Sequence, residues 1–134
     1  MPTVMQRPAT AFLLLFLALD AAAEQVVCHV SYGDEGQIYV ARPVASPYDV
    51  PAMAVGSHLR FRAIFQNKPK ETAAIKLYAY AAEEDGAALI HQATYPYPLA
   101  KGAGRRSPYG FTGLLLAYEP VLGAELQYWC ELQP

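Results

Sequence analysis

The sequence predicts an all-β protein: one antiparallel sandwich of about seven strands, preceded by an export signal. Three observations carry that expectation. Apolar residues repeat with a period of two through most of residues 24–134, and turn residues punctuate those runs at short intervals. Two cysteines, Cys28 and Cys130, bracket nearly everything behind the leader.

The leader comes first. Arg7 supplies a positive n-region, Ala11–Leu19 an apolar core, and Ala21-Ala22-Ala23 the small residues that a signal peptidase reads. That core is too short to cross a bilayer, which takes roughly 20 residues. The expected organisation is a signal peptide over residues 1–23 and one sandwich domain over residues 24–134. Losing the leader removes one base (Arg7) and one acid (Asp20), so the net charge stays at −2.

Strands follow in order. Val26, Cys28, Val30 and Tyr32 alternate with Val27, His29 and Ser31. Leu59, Phe61, Ala63 and Phe65 alternate with residues that are mostly polar, and Leu126, Tyr128, Cys130 and Leu132 alternate with Glu125, Gln127, Trp129 and Glu131. One face of each strand is buried and the other wetted. Residues 37–42, 74–81, 87–95 and 111–119 supply four further strands. Turn signals separate them at Gly33-Asp34-Glu35-Gly36, at Glu84-Asp85-Gly86 and from Pro120 to Gly123. The alanine-rich segment 72–84 has helical propensity, but Leu77-Tyr78-Ala79-Tyr80 running into an acidic-glycine turn favours a hairpin. Two stretches lack a strand pattern, 43–56 and 96–110.

An even cysteine count behind an export signal predicts a Cys28–Cys130 disulfide in an oxidising compartment. It would close a loop worth about 4.7 kcal/mol in the chain-entropy model.

Tyr128-Trp129-Cys130 is similar to the Tyr-x-Cys of immunoglobulin domains. The resemblance covers three residues and implies an immunoglobulin-like architecture. The chain departs from that pattern in three ways: its cysteine spacing is longer, Cys130 lies in the last strand, and no tryptophan follows Cys28. The resemblance therefore says nothing about function.

Composition and motifs exclude several functions. A slightly acidic domain lacks the basic excess that nucleic acid demands, and no polybasic stretch addresses a membrane surface. Nucleophile elbows, zinc-protease helices, phosphate loops and Cys-x-x-Cys pairs are all missing, so no enzyme activity and no cofactor are expected. A metal-binding alternative would use His29, His58 and His91, with His29 and His58 at outward strand positions. The spacing of these histidines favours three isolated side chains.

The 96–110 loop is the strongest candidate contact. Lys101, Arg105 and Arg106 are interleaved with glycines and flanked by Tyr97 and Tyr109, which suits contacts with a protein partner. Alternating strand directions put this loop at one end with Lys68 and Lys70, and the Glu83, Glu84, Asp85, Glu119 and Glu125 turns at the other. Trp129 projects to the outer face by alternation, which makes it a candidate partner contact unless a segment covers it, and the proline-rich segment 43–53 is the expected cover.

The functional expectation is an exported, non-enzymatic binding or accessory domain of the bacterial envelope. It would contact an envelope protein through the basic loop or a sheet edge, without inserting into the membrane. Asn67, the single asparagine, precedes Lys68-Pro69 and forms no glycosylation sequon, consistent with a bacterial source. The alternatives are a copper or zinc carrier and a secreted glycosidase inhibitor. The oligomeric state is left open.

Overall fold

The structure is a computed structural model that describes Pro2 and residues 23–134. The signal-peptide expectation falls almost wholly outside those residues. Eight strands form two antiparallel sheets: β1 (Gln25–Tyr32), β2 (Glu35–Ala41), β3 (Met53–Val55), β4 (Leu59–Gln66), β5 (Ala74–Glu83), β6 (Gly86–Pro96), β7 (Leu115–Tyr118) and β8 (Glu125–Gln133). The first sheet has the order β2-β1-β8-β7 and the second β3-β4-β5-β6. The expected sandwich is present.

The core lies between the sheets and follows the alternation read from the sequence. Val26, Cys28 and Val30 of β1 and Leu126, Tyr128 and Cys130 of β8 face Leu59, Phe61, Ala63 and Phe65 of β4 and Ile75, Leu77 and Ala79 of β5. Each fully buried large side chain contributes roughly 1.5–3 kcal/mol. Alanines on β5 admit the bulk of Phe61, whose ring packs on Tyr128 at 4.9 Å. Segment 74–83 is therefore a strand: burial against the opposite sheet overrides the helical propensity of its alanines.

Two strand assignments change. The additional strand, β3, has three residues, too few to display a period. The last apolar run before β8 is paired only over Leu115–Tyr118, because Phe111–Leu114 belongs to a loop.

Segment 43–52 also differs from expectation, because it covers the second sheet and not Trp129. Val44 N donates to the Phe65 carbonyl, and Gln66 and Arg62 reach the carbonyls of Ala45 and Val50. Arg62 is held under it by Tyr78 and Tyr80, with its guanidinium 4.9 Å from the Tyr78 ring centre and an N–H donating to the Tyr80 hydroxyl. Ile64, on the same outer face, is consequently buried.

Cys28 and Cys130 are bonded and stand directly opposite each other in the β1–β8 ladder, with Cα atoms 4.0 Å apart. That short distance marks a non-hydrogen-bonded pair of an antiparallel ladder. The staple thus joins neighbours within one sheet, whereas the immunoglobulin bridge joins two sheets. The resemblance to immunoglobulin domains stops at architecture.

Tyr128 links the sheets by a polar contact. Its hydroxyl lies 2.9 Å from His91 Nδ1 on β6. Burial, with Tyr95 a smaller contributor, holds the Tyr128 phenol far above its ordinary range. It therefore stays protonated and shares a hydrogen bond with Nδ1.

Two outcomes are expected. Replacing both cysteines by alanine should cost about 2–5 kcal/mol in urea melts while preserving the strand signature in circular dichroism. The raised Tyr128 pKa stabilises the fold below the unfolded phenol value of 10.0, and that stabilisation is lost as pH rises beyond it. Stability measured between neutral pH and pH values above that point should fall, and Tyr128→Phe should make the fall shallower.

Candidate functional site

The site is built by the long connection from β6 to β7. β6 continues its alternation into the loop, so Tyr97 and Leu99 turn inward and pack against the core. Beyond them, three successive tight turns are closed by Ala103 N to Ala100 O, Arg105 N to Gly102 O and Ser107 N to Gly104 O. The expected unpatterned loop is thus a folded one.

The loop is pinned to β8 by backbone chemistry. Cys130 pairs with β1 without ladder hydrogen bonds, so its N–H and carbonyl point the other way, beyond the reach of the four-residue β7. Thr112 Oγ1 accepts from Cys130 N, and Phe111 N donates to Cys130 O. An otherwise open edge is closed. Two glycines permit the approach: a Cβ on Gly110 would sit 2.1 Å from Cys130 O, and one on Gly104 would sit 2.6 Å from the Gly110 carbonyl group. Both have positive φ.

Folding the loop this way places it beside Trp129. His29, directly opposite Trp129 in the β1–β8 register, stacks on the indole at 3.8 Å with 9° between the planes. His29 Nε2 also lies 3.3 Å from Glu131 Oε1, which fastens the imidazole in place. Tyr109 meets the indole edge-on at 6.2 Å. Trp129 is therefore half-buried by His29 and the 97–114 loop, not by segment 43–53.

An open groove of about 570 Å³ lies between the loop and β8, with Leu99, Phe111, Trp129 and Leu132 as its apolar lining and Lys101, Arg105 and Glu131 as its charged groups. Among the described residues, Lys101, Arg105 and Arg106 make no ion pair, and all three are exposed. Arg106 lines a separate hollow with Arg105 and Ser107. Tyr97 is not a contact residue of the groove: its ring packs on Phe65, and its hydroxyl is hydrogen-bonded to the Glu24 carboxylate. That carboxylate, followed by partial burial, holds the Tyr97 phenol above its usual range.

The ladder confirms the shared end. Gln66, Ala74 and Pro96 lie side by side across β4, β5 and β6, so the turn carrying Lys68 and Lys70 neighbours the basic loop. Glu83 and Gly86 close the opposite end of the β5–β6 hairpin. Glu119, placed by the sequence in a turn at that end, is not a solvated charge. It is buried, and its carboxylate accepts from Val121 N and Leu122 N to hold the β7–β8 turn.

The three histidines are distributed over different parts of the fold. His29 is on the outer face of the first sheet, and His91 faces Tyr128 between the sheets. His58 is exposed in the turn between β3 and β4, not on a strand. Among the described residues, no three His, Cys, Asp or Glu side chains gather as a metal site.

Leu99, Phe111, Glu131 and Leu132 line the groove without having been assigned from the sequence, and His29, named there only in the metal alternative, is the stacking partner of Trp129. A signal for His29 exists in the chain: once Cys28 is opposite Cys130, residues 29 and 129 must also be opposite. Comparison with protein-family models, curated proteins and solved structures returns no match.

The glycines give a direct check on this architecture. Gly110→Ala should cost more than the roughly 1–2 kcal/mol of a left-handed alanine, because backbone atoms block the methyl group. Gly102→Ala meets no atom and should cost no more than that range. Trp129 is the single tryptophan, so its emission should shift to the red in Gly110→Ala as the loop lifts from it.

Proposed function

We propose that the chain is an exported, non-enzymatic binding domain of the bacterial envelope that contacts a protein partner through the loop–Trp129 groove. The observation that carries this reading is the assembly of one surface from two sequence-distant parts. The pinned loop sets Lys101 and Arg105 beside the apolar groove around Trp129 and Phe111. A rigid aromatic anchor with guanidinium and ammonium groups around it is the composition of protein contact surfaces. Pinning lowers the ordering entropy that a flexible loop would lose on binding.

Three further features support the setting. The leader pattern directs the chain to export, the disulfide is compatible with an oxidising compartment, and the core leaves both cysteines unavailable for catalysis. The unpaired cations on the loop favour a partner that presents carboxylates.

Affinity capture from an envelope extract tests the proposal. Arg105→Glu with Arg106→Glu should reduce recovery of the partner, and recovery by the unaltered protein should fall as salt rises, given screening over about 8–10 Å near physiological ionic strength. Trp129→Ala should reduce capture at every salt concentration. Equivalent reversals at Glu83 and Glu84, at the opposite end, should change it little. Capture indifferent to both the arginine and the Trp129 changes would overturn the reading.

A further inference from the structure

The free edge of β2 is the least protected strand edge of the fold. The other edge strands are each short or interrupted. β3 has three residues, β7 has four, and β6 carries a bulge opposite Ala79/Tyr80 and ends at Pro96. β2 runs Glu35–Ala41 in unbroken register with β1, and its residues 36–41 contain no charge and no proline. Long, regular, uncharged edges are those that accept another strand. Exposure agrees: Ile38 and Val40, on the outer face, are 56% and 46% exposed.

Backbone polarity can be read from two independent features. The two-residue turn Gly33-Asp34 closes on the Tyr32–Glu35 pair, so Glu35, Gln37, Tyr39 and Ala41 bond to β1. The disulfide agrees, because Cys28 makes no ladder bonds with Cys130 and must therefore bond to Tyr39 on its other side. It follows that Gly36, Ile38 and Val40 aim their N–H and carbonyl groups outward from the edge. Among the described residues, no hydrogen bond from another segment reaches them. A cavity of about 500 Å³ opens beside the strand, between Val40 and Pro51, so segment 43–52 does not seal it.

We infer that the protein dimerises with a second copy of itself by antiparallel pairing of the two β2 edges. The occupant is argued from self-complementarity. A two-fold axis at Ile38 makes Ile38 its own hydrogen-bonded partner and sets Val40 over Gly36 of the second copy. Continuing the same register brings Arg42 beside Asp34 of the second copy, twice, so the ends of the pairing are matched in charge. Every outward N–H and carbonyl of the edge is then satisfied, apolar residues cover one another on the outer face, and the first sheet becomes a continuous eight-stranded sheet.

Sedimentation velocity on the purified disulfide-bonded protein tests this. A reversible dimer is expected whose population rises with concentration. Val40→Pro removes a donor used only at the free edge and should weaken dimerisation by roughly tenfold or more. Ile38→Lys keeps every backbone group and should do the same, and it decides the matter if the proline variant does not melt cooperatively. Arg42→Asp should weaken the dimer, and adding Asp34→Arg should restore it. Arg105→Glu with Arg106→Glu should leave it intact, which separates this interface from the loop groove. A monomer at all concentrations would overturn the inference. So would a dimer that survives both edge variants, or a charge exchange that fails to rescue.

Discussion

The pairing of β1 with β8, locked at Cys28 and Cys130, is the constraint from which the rest of the surface follows. A disulfide between directly opposite residues permits one register only. Because the cysteines form a non-hydrogen-bonded pair, the polar backbone of each must look away from the other. On the Cys130 side this creates an edge that β7 is too short to cover. On the Cys28 side it consumes Tyr39 and leaves the even-numbered residues of β2 facing outward. One covalent bond thus dictates where the sheet needs a cover and where it remains open.

The loop is the answer to the first demand. An exposed N–H and carbonyl in the middle of β8 would template aggregation if left open. Thr112 and Phe111 satisfy both groups, but only because Gly110 lets the chain come within contact distance of Cys130. Having docked there, the loop lies against whatever β8 displays next, which is Trp129. The groove is therefore a consequence of edge protection. Its cations take no part in that protection, since no described carboxylate pairs with them. Structural necessity explains the position of the loop and not the identity of Lys101, Arg105 and Arg106, and this is why the proposed contact is placed on those residues.

Legibility in the sequence follows the reach of the underlying physics. Alternation is local, so the long strands, the buried faces and the outward projection of Trp129 could all be read directly. The disulfide was legible because redox compartment and cysteine parity are global properties. What covers Trp129 was not legible, since both candidate segments, 43–53 and 96–110, are rich in proline or glycine and lack a period. The choice rests on a hydrogen bond between Phe111 N and Cys130 O, which neither local sequence announces. The burial of Glu119 was not legible for a related reason. A carboxylate in a turn is ordinarily solvated, and only the path of the β7–β8 turn folds two backbone N–H groups around this one.

The two proposed contacts share a geometry that bears on how they would act together. Ile38, His29 and Trp129 occupy one row across β2, β1 and β8, all on the outer face of the first sheet. A two-fold axis at Ile38, perpendicular to that face, carries the groove of one copy to the same face of the other. The dimer would then present two loop–Trp129 grooves on one continuous sheet, facing the same way. A partner with repeated acidic segments, or one itself dimeric, could engage both at once, and the second engagement would be intramolecular. Modest affinity at each groove, as expected of an open surface with few anchors, would then suffice for stable capture. The disulfide register is what makes this arithmetic possible, because it fixes both the row and the polarity of the edge that the axis uses.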